Sequence, residues 1–177
     1  MPIPKDDDLV PENMFLEHPL GIRSYLLRQF SLVLGKMEID YLMKRSKRKP
    51  EVESLPFYEQ AQKIDNLLYS MVVDGQSAEN VGNEHAAICF YEELIRQQFP
   101  GSFPYRRLRI IYTKNKKPDD AIRACKAYLE MEEAEFKVRD VFEQISTKPK
   151  IREKGKKELE FEEWITKIEA KKKLSAA

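Results

Sequence analysis

The chain has 177 residues, enough for one domain with a substantial buried core. With 42% hydrophobic and 34% charged residues it is too apolar for a disordered chain, and its six glycines and few β-branched runs favour helices over a sheet. The net charge of +1 indicates no global preference for a polyanion, so any electrostatic preference for a partner must come from local clusters.

The N-terminal residues 1–11 are predicted to form a flexible tail, and residues 12–177 a single helical domain. The tail is acidic and contains proline, and it lacks the basic start and apolar run of a secretory signal. No window of about 18 apolar residues occurs, so we expect a cytoplasmic protein that does not enter a membrane. The basic run KRSKRK at 44–49 would act as a nuclear address only in a eukaryote.

The first predicted helix occupies residues 20–44, with a basic linker to residue 50. Leu27 and Leu34 lie seven residues apart beside its main apolar stripe, which makes the stripe wider than one helix contact buries. We expect this helix to cap the hairpins that follow, and Leu27 and Leu34 to contact a second copy of the chain in a homodimer. Gly35 either breaks the helix or allows close packing. The main stripe consists of Ile22, Leu26, Phe30, Val33, Met37 and Tyr41.

Six further helices follow from the spacing of apolar residues and from proline and glycine signals. Residues 74–83 are predicted to be a polar loop because they contain two glycines, and a break is predicted near residue 132. No stretch alternates as a strand does, so the predicted fold class is all-α. The predicted helices cover residues 54–74, 84–98, 103–114, 118–131, 132–145 and 153–172.

Two stretches of the chain align when Ala87-Ile88 is placed on Ala121-Ile122, and we call the separation from Ala87 to Ala121 the repeat offset. This pattern resembles the tetratricopeptide repeat, a pair of antiparallel helices with a period of about 34 residues. A small residue where the helices cross, such as Ala121, lets them approach closely. The positions that match the family in the later copy are Tyr105, Leu108, Tyr112 and Ala121.

The resemblance covers residues 55–131 and implies two hairpins stacked as a short right-handed superhelix, flanked by the helix in 20–50 and by C-terminal helices in 132–177. Two departures from the family pattern stand out. Arg109 occupies a position where the family has a small residue, and the earlier copy fits only with an insertion in the predicted loop. An unrelated helical bundle is the alternative fold.

Residue patterns for catalysis or metal binding do not emerge from the sequence. The two histidines are not in an HExxH pattern, and His85 with Cys89 lacks a third ligand. No glycine-rich phosphate cradle occurs, and Cys89 and Cys125 read as free thiols in a reducing compartment. We therefore predict a protein that is not an enzyme and has no catalytic residue, cofactor or metal.

The predicted function is a non-catalytic protein–protein interaction module, or adaptor, that binds a peptide or a partner helix. In the family the first helix of each pair forms the inner surface, which implies an acidic, partly apolar partner for the mixed basic and apolar residues of this chain. The alternative is binding of RNA or single-stranded nucleic acid through basic and aromatic patches such as YRRLRIIYTKNKK. The implied partner-binding residues are Phe103, Arg106, Ile110, Thr113 and Lys114.

Overall fold

Helices account for the regular structure of the part of the chain that the computed structural model describes, residues 24–46, 56–144 and 152–176. These residues form six helices and no strand, which confirms the all-α prediction. The predicted tail and the predicted linker after residue 46 lie outside the described residues. The helices are α1 (Ser24–Ser46), α2 (Pro56–Asn80), α3 (Glu84–Arg96), α4 (Phe103–Lys114), α5 (Pro118–Gln144) and α6 (Lys156–Ala176).

Each helix packs against the next one along the chain, and α3 also contacts α5. Turns of three residues, 81–83 and 115–117, join α2 to α3 and α4 to α5, so each pair is an antiparallel hairpin. The first hairpin is therefore α2–α3 and the second is α4–α5. Helix α1 covers the first hairpin through α2, and α6 covers the second hairpin through α5.

Helix α2 is longer than predicted, because it continues through most of the stretch assigned to a polar loop and ends at Asn80. Gly75 is buried inside this helix. A Cβ atom at Gly75 would lie 2.6 Å from Cε1 of Tyr91, so this glycine permits the close approach of two helices and does not reverse the chain. The reversal falls instead at Gly82, whose φ of 77° lies in the left-handed region.

Helix α5 runs without interruption from Pro118 to Gln144, so the predicted break near residue 132 is wrong. The acidic residues 130–135 contain no helix breaker, and Met131 is fully buried within the core. Beyond Met131 the helix also has a partner, since Arg152 forms an ion pair with Glu133 at 2.5 Å. The predicted fifth and sixth helices are thus one helix.

Several features around the turns of the two hairpins are separated by the repeat offset, the separation of Ala87 from Ala121, whereas the starts of the first helices and the ends of the second helices are not. Three pairs of positions are separated by this same offset. They are the ends of the two first helices, the starts of the two second helices, and the residues with positive φ in the two turns, Gly82 and Lys116. The insertion assumed for the earlier copy is therefore wrong. Because α2 continues to Asn80, the turn before α3 has three residues, the same length as the turn between α4 and α5. Fully buried residues also pair at this offset: Met71 with Tyr105, Ala87 with Ala121, Tyr91 with Cys125, and Leu94 with Tyr128.

Tyrosine rings form much of the core, and their hydroxyl groups are paired. Tyr91, Tyr105 and Tyr128 are almost completely buried. The Tyr91 hydroxyl donates to Oε2 of Glu79 at 3.0 Å, and the Tyr105 hydroxyl donates to the Phe99 carbonyl at 3.2 Å. The Tyr128 hydroxyl donates to a carboxylate on α5 at 2.5 Å. These bonds remove the penalty of burying a polar atom with each ring.

An aromatic row attaches α6 to the second hairpin. Tyr105 on α4 meets Tyr128 on α5 edge-on, with ring centroids 5.4 Å apart. Tyr128 stacks on Phe161 of α6 at 4.1 Å, and Phe161 meets Trp164 edge-on at 4.8 Å. Such pairs add about 0.5–1.5 kcal/mol each to the burial of the rings. The aromatic row therefore packs α6 against the second hairpin.

Helix α1 is continuous through Gly35, and this glycine allows close packing. A Cβ atom there would lie 2.6 Å from the ring of Tyr58 on α2. Leu34, one of the two predicted dimer residues, is 42% exposed. The side chain of the other, Leu27, lies outside the described residues. The dimer contact stays a prediction.

We expect Gly75→Ala to destabilise the protein by about 1–3 kcal/mol, because the added methyl group would overpack against the buried Tyr91 ring. Helix propensity alone would give the opposite sign, a gain of roughly 1 kcal/mol. Urea unfolding followed by circular dichroism measures the difference. The control is Ser77→Ala, an exposed position of the same helix, which should change stability by less than about 0.5 kcal/mol. A Gly75→Ala protein more stable than wild type would contradict the close contact.

Glu79, near the end of α2, links three helices. Its carboxylate accepts hydrogen bonds from Nε of Arg107 on α4 and from the Tyr91 hydroxyl on α3, both at 3.0 Å. The bond from the Arg107 guanidinium is the main reason that the pKa of Glu79 lies below its usual range, and burial acts in the opposite direction. Because the folded state lowers this pKa, the stabilisation is complete above the unfolded pKa and is lost as pH falls through the folded pKa.

We therefore expect Glu79→Gln to lower the free energy of unfolding by about 1–2 kcal/mol at pH 7. The difference from wild type should shrink as the pH falls below about 4.3, the ordinary glutamate pKa. Urea titrations at steps from pH 7 to pH 3 measure this dependence. Glu130→Gln, at an exposed position of α5, is the control and should stay within about 0.5 kcal/mol of wild type. A difference that grows on acidification would refute the assignment.

Candidate functional site

The five predicted partner-binding residues, which we call the α4 face, do not form one free basic surface. Phe103 is half-buried and meets the Tyr91 ring edge-on at 5.9 Å. Each predicted cation has a carboxylate partner: Lys114 pairs with Glu84 at 3.1 Å, and Arg106 lies 3.6 Å from a carboxylate of α6. Of these two cations, Lys114 is the more exposed, with 74% of its side chain accessible against 42% for Arg106. The α4 face consists of Phe103, Arg106, Ile110, Thr113 and Lys114.

Two pockets flank the α4 face. Phe103 lines one of about 460 Å³ against α2, and Thr113 lines one of about 600 Å³ against α6. At 100° per residue, helix geometry places Arg106 and Ile110 on the arc between these two residues. The α4 face therefore runs from one pocket to the other, as a continuous surface across the helix.

The larger cavity, the α4–α6 pocket, combines an apolar floor with basic walls. Trp164 and Ile168 of α6 and Pro118 at the start of α5 supply the apolar surface. The sequence signal for this arrangement was present, because residues 164, 168, 171 and 175 recur on one helix face. The basic residues that line the α4–α6 pocket are Arg109, Lys116, Lys167, Lys171 and Lys172.

Arg109 is the partly buried basic residue of this pocket. Its guanidinium carbon lies 3.9 Å from the centroid of the Trp164 ring, in a cation–π contact. Its Nε atom is enclosed and has no hydrogen-bond partner among the described residues. Burial is the main reason that the pKa of Arg109 lies below its usual value. In the sequence, Arg109 is a departure from the family pattern and part of the basic and aromatic patch, and neither feature indicates its contact with Trp164.

The basic walls of the pocket are only partly neutralised. Lys172 pairs with Asp119 on α5, and Lys167 pairs with a glutamate one turn earlier on α6. Arg109, Lys116 and Lys171 have no ion pair with any of the described residues. Three positive charges of the α4–α6 pocket therefore have no ion pair within residues 24–46, 56–144 and 152–176, although the carboxylate of Glu160 stabilises the charge of Arg109 at longer range.

Other predicted features have different surroundings. His85 is exposed and Cys89 is half-buried, both on α3. Over the described ranges, no group of three or more His, Cys, Asp or Glu residues is placed to hold a metal ion. On α6, Leu159 is 54% exposed, whereas Phe161 is fully buried. The six helices include none that combines the length and the hydropathy needed to cross a membrane, as far as the structure describes them.

Comparisons with protein-family models, with curated proteins and with solved structures found no match to this chain.

Cys125 lies behind Arg109 and should be chemically inert. It is fully buried, and burial raises the pKa of its thiol to about 11. At pH 8 its thiolate fraction should be about a hundredfold below that of an ordinary cysteine, and the thiolate is the reactive form. In a Cys89→Ser protein, Cys125 is the one remaining thiol, so Ellman's reagent should react with it only after urea is added. Reaction of the folded variant at the rate of free cysteine would show that Cys125 is accessible.

Proposed function

We propose that the protein is a non-catalytic interaction module, or adaptor, that binds a segment of a partner protein on the α4 face. The observation that carries this proposal is the course of the α4 face between two pockets, one against α2 and one against α6. A peptide or a helix laid across α4 would contact both pockets at once. Grooves with anchor pockets for single side chains are a general mode of peptide recognition.

We propose further that the two hairpins are repeats of the tetratricopeptide type, arranged as a short superhelix. Support comes from the repeat offset that relates the helix ends next to the turns, the turns and the buried positions of the two hairpins. In such repeats the first helices of successive pairs lie side by side and form the inner surface. Here α4 forms an ion pair with α2 through Arg107 and one with α6 through Arg106.

The proposed partner is acidic and partly apolar. Its negative charge would meet the cations without carboxylate partners in the α4–α6 pocket, and its apolar side chains would meet Trp164 and Ile168. Nucleic acid would supply negative charge as well. The net charge of +1, however, lacks the basic excess that is usual for nucleic-acid-binding domains. This charge balance favours the protein partner over nucleic acid.

The test is affinity capture from a nuclease-treated lysate of the source organism, with wild type and two variants. Thr113→Glu/Lys114→Glu changes two exposed residues of the α4 face. Ser70→Glu/Lys126→Glu makes the same change in charge at exposed positions on α2 and α5 outside both pockets. We expect a protein recovered by wild type and by the control to fall by about tenfold with the first variant, because like charges repel across the interface.

Circular dichroism should show the same helical content for all three proteins. Equal recovery with both variants would place the interaction outside the α4 face. Recovery of partners that disappears whenever nuclease is added, together with a steep loss of affinity in salt, would identify a nucleic-acid-binding protein instead.

A further inference from the structure

The α4–α6 pocket has the dimensions and the lining of a ligand site. Its volume of about 600 Å³ lies within the range of roughly 300–1,000 Å³ that ligand pockets occupy. Helix α4, the start of α5 and helix α6 all contribute to it. Phe161 packs α6 against the second hairpin, and α6 supplies Trp164 and Ile168 to the floor of the pocket.

The positive charges of the pocket that lack ion pairs indicate that its ligand is negatively charged. A partly buried guanidinium is normally paired with a carboxylate, because burying a charge without a partner is unfavourable. The cation–π contact with Trp164 compensates Arg109 only in part, and it leaves Nε without an acceptor among the described residues. Lys116 and Lys171 add two exposed positive charges that also lack an ion pair in the described residues.

The apolar floor of the pocket indicates that the same ligand also carries an apolar group. Trp164 and Ile168 are both only partly buried although they pack against the core, and Pro118 adjoins them. An inorganic anion alone would leave this apolar surface in contact with water. A ligand that carries an apolar side chain next to carboxylates would satisfy the floor and the walls together.

We propose that the α4–α6 pocket binds an acidic peptide segment whose apolar or aromatic side chain lies on Trp164 and Ile168, with flanking carboxylates paired to Arg109, Lys116 and Lys171. This inference rests on the proposed function and gives the chemistry of the bound segment. It also gives Arg109 a role that the family pattern does not contain, since a small residue at this position would leave no buried cation.

Intrinsic fluorescence measures occupancy directly, because Trp164 is the only tryptophan of the chain. The full-length protein is titrated with the peptide acetyl-Glu-Glu-Phe-Glu-Glu-amide at physiological ionic strength, with excitation at the tryptophan band. Two matched peptides replace either all four glutamates by glutamine or the phenylalanine by alanine. We expect a saturable change with the first peptide and affinities lower by about tenfold with each of the other two.

The variant Lys116→Gln/Lys171→Gln removes two exposed charges that line the pocket and should leave the fold intact. It should weaken binding of the acidic peptide by about tenfold. Lys36→Gln/Lys126→Gln makes the same charge change at exposed positions away from the pocket and should bind within about twofold of wild type. Arg109→Gln should bind least, with circular dichroism as the check on its folding.

Several outcomes would overturn the assignment: no saturable change in fluorescence, equal affinity for the glutamine peptide, equal effects of the two lysine pairs, or tighter binding of an eight-nucleotide uridine RNA than of the acidic peptide. If the peptide fails but capture from lysate still depends on Thr113 and Lys114, the adaptor function stands and the pocket assignment is wrong. If capture fails as well, both proposals are wrong.

Discussion

The stack of Tyr128 on Phe161 is the contact on which the second half of the molecule depends. With ring centroids 4.1 Å apart, it joins α6 to a hairpin whose core already holds Tyr105 and Tyr128. Phe161 then positions Trp164, and Trp164 receives the guanidinium of Arg109. Trp164 in the floor of the α4–α6 pocket thus belongs to the same run of packed rings as the core.

At equivalent positions of the two hairpins, the large and the small side chain lie on opposite helices. In the first, Gly75 leaves room for the large ring of Tyr91. In the second, the residues one repeat offset later are Arg109 and Cys125, so the large side chain lies on the first helix and the small one on the second. Each crossing therefore combines one large and one small side chain, as close packing requires. Because the large residue of the second hairpin is charged, this crossing also places a cation beside a pocket.

Charge pairing separates the parts of the surface that stabilise the fold from those that are open to a partner. Arg107 and Arg123 form ion pairs that tie α4 to α2 and α5 to α3. The cations of the α4–α6 pocket are only partly neutralised, and they surround apolar rings. A net charge of +1 conceals this difference, since an even balance over the whole chain is compatible with a strongly basic local site. This local imbalance is the reason to propose an acidic partner.

Helix class, most helix starts and the buried Ala87 and Ala121 followed from the sequence, because apolar periodicity and proline positions are local signals. The roles of Gly75 and Arg109 did not follow, because each depends on a side chain from another helix: the Tyr91 ring for the glycine and the Trp164 ring for the arginine. From local sequence alone, a glycine predicts a turn and an arginine predicts a charge exposed to solvent. Only the tertiary structure decides which residues face them, since contacts between distant segments leave no periodic trace in one sequence.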